Sequence, residues 1–148
     1  MSLESVVEAL QTALNSIEDI DDIEELGIPD AALSGPWDRI YLEPSEEIFE
    51  YGDLYAAEVP TSSIARCTVL MVLHTDNVPE GQTLLKYTLD KVKDIREKLQ
   101  SGNDPSTGDF KNDGDQGFRA EMEQVRYHFR PGDPVSAAII PIIVKAYN

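Results

Sequence analysis

The sequence predicts an α+β fold in which two main helices pack on one face of an antiparallel-rich mixed β-sheet. Three observations support this prediction. The chain ends in its most apolar strand, a second apolar strand lies near its centre, and two segments have the spacing of amphipathic helices. The elements follow one another as helix, short strands, long strand, helix and hairpin, which is typical of α+β proteins. With 148 residues and no internal repeat, the chain is predicted to form one domain over residues 1–148.

The N-terminal segment is predicted to be a helix from Ser2 to Ile17. Ser2 can cap this helix, and Glu4 complements the positive end of the helix dipole. The apolar residues recur at helical spacing, and they are Leu3, Val6, Val7, Leu10, Leu14 and Ile17.

The stretch Glu18–Glu25, which we call the acidic run, has six acids in eight positions. Charge blocks of this kind are usually solvated, so the run is interpreted as a helix end and linker. The alternative is a site for a cation or a partner. Ile20 and Ile23 lie within the run and suggest that part of it contacts the core.

Glycine and proline residues predict a loop over Gly27–Trp37. A short strand, Arg39–Leu42, is predicted to follow and to stop at Glu43–Ser45, which contains a proline. The stretch Glu46–Val59 fits either a hairpin or a strand with an irregular loop, and a strand is predicted for Leu54–Val59.

The second major strand is predicted over Ile64–Thr75, because its centre is apolar on both faces. A helix is predicted next, with Asn77 as its cap, Pro79 in its first turn and Glu80 near its positive end. It is expected to run to about Leu99. Its predicted apolar stripe consists of Leu85, Leu89, Val92, Ile95 or Arg96, and Leu99.

The C-terminal segment is predicted to be a hairpin. Met122–Phe129 alternates as a half-buried strand does, with Val125, Tyr127 and Phe129 on one side. Arg130–Pro134 carries a proline and a glycine at the second and third positions of a turn.

The last strand, Val135–Tyr147, has almost no charge, which predicts burial on both faces and a place inside the sheet. Pro141 lacks one donor for the strand ladder. We therefore expect a bulge or a local edge at this residue. The polar stretch Asn103–Gly117 before the hairpin is long for a connection, which predicts a contact function or disorder.

The chain is strongly acidic, with 28 acids against 12 bases, a net charge of −16 and a pI near 4.3. This composition argues against a general basic patch for nucleic acid, because such binding depends largely on lysine and arginine. Acids occur in every segment, so adaptation to high salt is favoured over a functional acidic patch. The start of the chain lacks the features of a signal peptide, and no apolar run has the roughly 20 residues that span a bilayer.

Candidate chemical residues are few. Asp109–Gly114 resembles part of a calcium loop, but Lys111 and Ala120 stand at positions that need oxygen ligands. His74 and His128 lie near strand ends without a second metal ligand nearby in sequence. Cys67 enters an apolar strand and is predicted to belong to the core. No catalytic, cofactor-binding or metal-binding residue is therefore predicted, and the chain is not predicted to be an enzyme.

The order of elements over nearly the whole chain resembles the tail terminator, or tail-completion, proteins of long-tailed phages and related archaeal viruses. The resemblance is one of pattern and length, without an invariant motif. The matching elements are the helix Leu3–Ile17, the strands Arg39–Glu43 and Arg66–Thr75, the helix Pro79–Leu99, and the closing hairpin Glu121–Tyr127 with Ala137–Tyr147. The acidity and the acidic run depart from that pattern, and would fit a virus of a salt-loving host.

This resemblance implies a homohexameric ring that caps the tail tube, stops its polymerisation and joins it to the head. The implied partners are identical copies, the tail tube protein and a neck or head-completion protein, with no membrane. The ring would be assembled in the host cytoplasm and reside in the virion. DNA would pass through the lumen without specific binding, since an acidic wall repels phosphate. The expected contact surfaces are the sheet edge near Pro141, the stretch Trp37–Leu42 and the loop Asn103–Gly117.

Two alternatives remain open at the level of sequence. One is another head–tail connector or head-completion protein, with a dodecameric ring. The other belongs to a different class: a small halophilic binding protein or enzyme that acts through His74, His128 and carboxylates.

Overall fold

A computed structural model describes residues 3–50, 62–104, 108, 110 and 117–147 of the chain. The elements are α1 (Leu3–Asn15), β1 (Arg39–Glu50), β2 (Ser62–His74), a 3₁₀ turn (Thr75–Asn77), α2 (Leu84–Gly102), β3 (Phe118–Met122), β4 (Arg126–His128) and β5 (Val135–Tyr147). They form a five-stranded sheet and two α-helices, so the predicted α+β fold is confirmed. The predicted strand Leu54–Val59 and most of the loop Asn103–Gly117 lie outside the described residues.

The sheet has the strand order β1-β2-β5-β3, and β4 also pairs with β5. Every pair of these strands is antiparallel. The final strand β5 lies between β2 on one side and β3 and β4 on the other, which confirms its predicted place inside the sheet. The two strands β3 and β4 follow one another along the same side of β5.

Both helices pack against one face of the sheet, which we call the helix face. Alternate side chains of β2 and β5, such as Met71 and Ile140, are completely buried there. Leu10 of α1 and Ile95 of α2 are buried in the same core. Ile20 and Ile23 of the acidic run also belong to it, which confirms that the run contacts the core.

The second helix begins later than predicted. Asn77 lies in the 3₁₀ turn, and Thr83 is the N-cap of α2, with its hydroxyl accepting a hydrogen bond from the Lys86 amide at 3.2 Å. Gly81 lies between the 3₁₀ turn and α2, and its φ of +84° prevents one continuous helix through both. The predicted stripe was wrong at its start, because Leu85 and Leu89 are exposed. The face that α2 buries consists of Leu84, Tyr87, Thr88, Lys91, Val92, Ile95, Leu99 and Gly102.

The first strand continues past its predicted stop. The register of β1 against β2 shifts between Pro44 and Glu46, which marks a bulge in an edge strand. The Ser45 hydroxyl donates to the Arg66 carbonyl at 3.0 Å, so the bulged residue stays attached to β2. The strand then continues to Glu50.

The predicted strand Met122–Phe129 is divided into β3 and β4, and the division lies opposite Pro141. The Glu123 amide donates to the Pro141 carbonyl at 3.0 Å. The amide and carbonyl of a strand residue point the same way, so the missing donor of Pro141 faces this gap. Of the two predicted outcomes, a bulge is confirmed, because Met122 pairs with Ile142 and Arg126 with Ile139, which leaves one extra residue between β3 and β4. The predicted turn is also confirmed: Gly132 has a φ of +89°, and the Asp133 amide donates to the Arg130 carbonyl.

The opposite side of the sheet, which we call the second face, is only partly covered. The segment 28–33 supplies Ile28 and Ala32, which pack on Leu70, Val72 and neighbouring residues at one end. Farther along β5, Pro141 and Ile143 are half-buried. The predicted burial of β5 on both faces is therefore wrong for its second face from Ile139 to Ile143, whereas Ala137 at the start of that face is buried.

Candidate functional site

The outer edge of β1 is closed by hydrogen bonds only over its first part. The Asp21 amide donates to the Asp38 carbonyl at 3.0 Å, and the Gly27 amide donates to the Leu42 carbonyl at 2.8 Å. Asp21 also forms an isolated parallel bridge with Arg39. Among the described residues, nothing pairs with this edge from Pro44 to Phe49. Within the part of the chain that the structure describes, half of β1 therefore presents an unpaired strand edge.

The opposite edge of the sheet is also closed over half of its length. Along β3, the Asn103 side chain accepts from the Ala120 amide at 2.8 Å and donates to the Ala120 carbonyl at 2.7 Å. The Phe118 amide donates to the Phe110 carbonyl at 3.2 Å. Along β4, by contrast, no strand of the described chain lies on the outer side. The open part of this edge is therefore Val125–Phe129.

Large apolar side chains are exposed at both open stretches. Ile48 and Phe49 are 39% and 48% exposed at the end of β1, and Tyr127 and Phe129 are 43% and 38% exposed at β4. Leu33 joins the latter pair in lining a groove of about 570 Å³ beside the β4–β5 turn. The sequence pattern placed Tyr127 and Phe129 on a half-buried face, and this prediction was wrong because neither helix covers β4.

The two edges carry opposite charge. Residues 39–50 have one arginine and four glutamates, for a net −3, whereas residues 118–130 have three arginines and two glutamates, for a net +1. In a chain of net charge −16, this positive stretch holds half of the six arginines. The fold thus places its most basic strand region and one of its acidic strands on opposite edges of the sheet.

Arg66 connects the middle of the second face to both edges. Its guanidinium lies 2.8 Å from Glu46 of β1 and 3.5 Å from Glu123, which follows β3. The hydrogen bond to Glu46 is the main reason that the pKa of Arg66 is raised. These side chains are partly exposed, so the ion pairs contribute little to stability and mainly orient the charges.

A buried carboxylate, Asp38, holds the turn after β2 against α2. It accepts hydrogen bonds from the His74 amide at 2.8 Å, the Asn77 side chain at 2.9 Å and the Tyr87 hydroxyl at 2.8 Å. Burial, followed by the contact with Asp38, raises the pKa of Tyr87. No sequence pattern predicted this cluster, and its only local signal was an acid beside an aromatic residue in a loop. The cluster is closed on itself, which indicates a structural role.

The acidic run is fixed to the fold. The Asn15 side chain accepts from the Ile23 amide at 2.7 Å, and the Gln11 side chain donates to the Ile23 carbonyl at 2.8 Å. The ammonium of Lys91, a buried residue of α2, donates to the Glu18 carbonyl at 2.9 Å. The acids between these anchors point outward, as expected for a solvated stretch.

The candidate residues considered in the sequence, His74, His128 and Cys67, are not brought together by the fold. His74 accepts from the Asp76 amide at 3.1 Å, whereas His128 lies on β4. Their pairing partners are residues Val135 and Ala137 of β5, so the histidines lie on opposite sides of that strand. Cys67 is fully buried in the core, as predicted, and burial raises its pKa to about 11. The partial calcium loop Asp109–Gly114 lies mainly outside the described residues.

Within the described ranges, no group of three or more His, Cys, Asp or Glu side chains is arranged to hold a metal ion. No helix of that part of the chain is long and apolar enough to cross a membrane. No protein-family model matches the chain, and no curated protein matches it.

The open stretches of the described sheet edges do not coincide with the contact surfaces expected from sequence. The edge over Arg39–Leu42 is closed by the segment 21–27, and the gap at Pro141 is closed by the Glu123 amide. Trp37 is exposed, with the Arg39 guanidinium 5.1 Å from its ring centre. The open stretches lie farther along both edges. Gly27 and Asn103 cap the other parts of the two edges from distant positions in the sequence, and this determines which stretches stay open. No local sequence pattern reveals these caps.

Proposed function

We propose that this chain is a structural subunit that assembles with identical copies into a closed ring, and that the ring is a tail terminator in the virion of a long-tailed virus. The observation that carries the proposal is the pair of open sheet edges. Among residues 3–50, 62–104 and 117–147, no strand pairs with part of each edge, and each edge exposes two large apolar side chains at that part. Unpaired apolar edges promote association, and natural proteins usually cover them.

A ring requires that one surface of each copy bind a different surface of the next copy. The open stretches lie on opposite edges of one sheet and differ in charge, which supports such head-to-tail contacts over a symmetric pair. The resemblance in element order then selects the tail terminator among ring-forming proteins. In this role the mechanism is geometric, because a completed ring ends the tail tube and offers a surface to the neck.

The net charge of −16 suits the lumen of such a ring. Phosphate would be repelled by an acidic wall, so DNA could pass during ejection without being retained. We accordingly propose that the tail tube protein and a neck protein are the partners, and that DNA is not bound specifically.

Electron microscopy of the purified chain in molar KCl tests this proposal. We expect closed rings with a central channel and sixfold symmetry. We also expect no retardation of duplex DNA at the lowest KCl concentration that keeps the rings assembled. Twelvefold rings would instead favour a head–tail connector. Uniform monomers, or rings that bind duplex DNA tightly, would contradict the tail terminator.

A further inference from the structure

We propose that neighbouring copies join by antiparallel pairing of the open half of β1, Pro44–Phe49, with the open β4 stretch, Val125–Phe129, of the next copy. This inference rests on the proposed self-association and specifies its interface. Across the strand order β1, β2, β5 and β4, each described pair is antiparallel. A β1 placed beside β4 with the same sheet orientation continues that alternation.

Capping of the other parts of both edges leaves these two stretches open. Gly27 closes β1 at Leu42, and Asn103 closes β3 at Ala120. Each caps an edge that a second copy could otherwise extend, as strand addition does in other complexes. Among the described residues, the open halves of the two edges are the places where such addition is not blocked.

The exposed aromatic side chains of the two stretches match on the helix face of the extended sheet. Phe49 and Tyr127 lie on the helix face, because their register partners Ser63 and Ala138 do. Both aromatic rings are exposed in the isolated chain and would bury against each other or against Phe129. The groove of about 570 Å³ beside Tyr127 and Phe129 offers room for an apolar side chain of the entering strand.

Charge determines the direction of association. Two β1 edges placed together would oppose four glutamates on each side, and two β4 edges would oppose arginines. A β1 edge beside a β4 edge instead brings the acids of β1 toward Arg126 and Arg130. Glu43 and Glu46 share the second face with Arg126, whereas Glu47 lies on the helix face. Like charges thus disfavour the symmetric pairings, and opposite charges favour the head-to-tail pairing.

The open stretches lie at diagonal corners of the sheet, which affects the assembly. Phe49 is level with Ala146 of β5 through Ser63, whereas Tyr127 is level with Ala138, eight residues away. At about 3.3 Å per residue, each copy is displaced by roughly 26 Å along the strand direction. A ring closes with this displacement when the strands are tilted to the ring axis, as they are in barrels.

Two charge-reversal variants test the interface. The basic-edge variant is Arg126→Glu with Arg130→Glu, and the acidic-edge variant is Glu43→Lys with Glu47→Lys. In the described chain none of these four residues is in an ion pair. Sedimentation at the lowest KCl concentration that supports assembly measures the dissociation constant, and circular dichroism checks folding. We expect each variant to raise that constant at least about tenfold.

The acidic-edge variant is the sharper test. This variant reduces the net negative charge from −16 to −12. General charge repulsion alone therefore predicts that the variant assembles more tightly, whereas the proposed interface predicts that it assembles more weakly. The matched controls reverse exposed charges elsewhere: Arg96→Glu with Lys98→Glu for the basic edge, and Glu24→Lys with Glu25→Lys for the acidic edge. The fourfold variant that exchanges both edges should restore assembly, because opposite charges then face each other again.

The outcomes separate the interface from the function. If the unmodified chain assembles and the edge variants behave like their controls, or the fourfold variant fails to recover, the proposed interface is overturned while the ring stands. If the unmodified chain stays monomeric at every salt concentration, the proposed function is overturned together with the interface. If the basic-edge variant unfolds, the acidic-edge variant still tests the interface, because general repulsion and the proposed interface predict opposite changes in its assembly.

Discussion

Asp38 is the residue on which the junction between β2 and α2 depends. Its carboxylate receives three donors, from His74, Asn77 and Tyr87, and it is 5% exposed. Removing this acceptor leaves the buried Tyr87 hydroxyl and the partly buried His74 amide without it, while Asn77 keeps its bond to the Pro36 carbonyl, and this is more destabilising than losing one hydrogen bond. Stability at this site therefore depends on the acceptor more than on any single donor.

We expect Asp38→Ala to lower the free energy of unfolding by about 3 kcal/mol, and Tyr87→Phe by about 1–2 kcal/mol. The larger value follows because all three donors lose their acceptor. Urea unfolding measures both changes. The exposed Asp30→Ala is the control and should change stability by less than about 0.5 kcal/mol. An Asp38→Ala variant as stable as that control would show that water replaces the carboxylate at no cost.

Asn103 acts at the scale of the element, because its side chain occupies the outer edge of β3. The amide reproduces the donor and acceptor of a neighbouring strand toward Ala120. We expect Asn103→Ala to lower the free energy of unfolding by about 1–2 kcal/mol. We also expect it to increase irregular aggregation, because a third stretch of edge becomes open.

Urea unfolding and light scattering of the Asn103→Ala variant measure these two effects, and Gln100→Ala on the exposed end of α2 is the control. An Asn103→Asp variant should aggregate less than Asn103→Ala, because its charge keeps other edges away, although it faces the Ala120 carbonyl unfavourably. Unchanged aggregation of Asn103→Ala would argue against edge capping by this side chain.

The elements that sequence predicted well are those set by local chemistry. The period of α1, the turn at Gly132 and the interruption at Pro141 follow from spacing and backbone geometry alone. The start of α2 was missed because Asn77, a good helix cap, is held by Asp38 instead. The continuation of β1 past Pro44 was missed because it depends on β2 as a partner.

The candidate site was the least predictable part of the fold. Exposed apolar residues such as Phe49 and Tyr127 look like core residues in an alternating strand. Their exposure depends on where the helices end across the sheet, which is a property of the whole fold. The open edges likewise depend on caps that come from distant segments, with Asn103 reaching Ala120 across 17 residues of sequence.

At the scale of the whole molecule, self-repulsion of the net charge of −16 opposes folding at low salt. The screening length falls from about 10 Å at 0.1 M to about 3 Å at 1 M salt. We expect the thermal midpoint to rise as KCl increases over this range. A gain of about 2 kcal/mol would raise it by roughly 6 °C for a domain of this size.

The exposed pair Glu24→Lys with Glu25→Lys provides the comparison, since its net charge of −12 should weaken the dependence on salt. A parallel series in sucrose distinguishes charge screening by KCl from exclusion of a solute from the protein surface. Sucrose stabilises compact states by such exclusion and does not screen charge. Midpoints that stay level or fall as KCl rises would contradict adaptation to high salt.

The central claim is that this chain associates with copies of itself into a closed assembly of fixed size. Light scattering coupled to size-exclusion chromatography, from dilute buffer to molar KCl, measures the molar mass directly. We expect a molar mass of 16.4 kDa at low salt. At high salt we expect a single species near six times that mass, which does not grow further with protein concentration because a ring leaves no open end. A mass that stays at 16.4 kDa in molar KCl at all protein concentrations would contradict the claim.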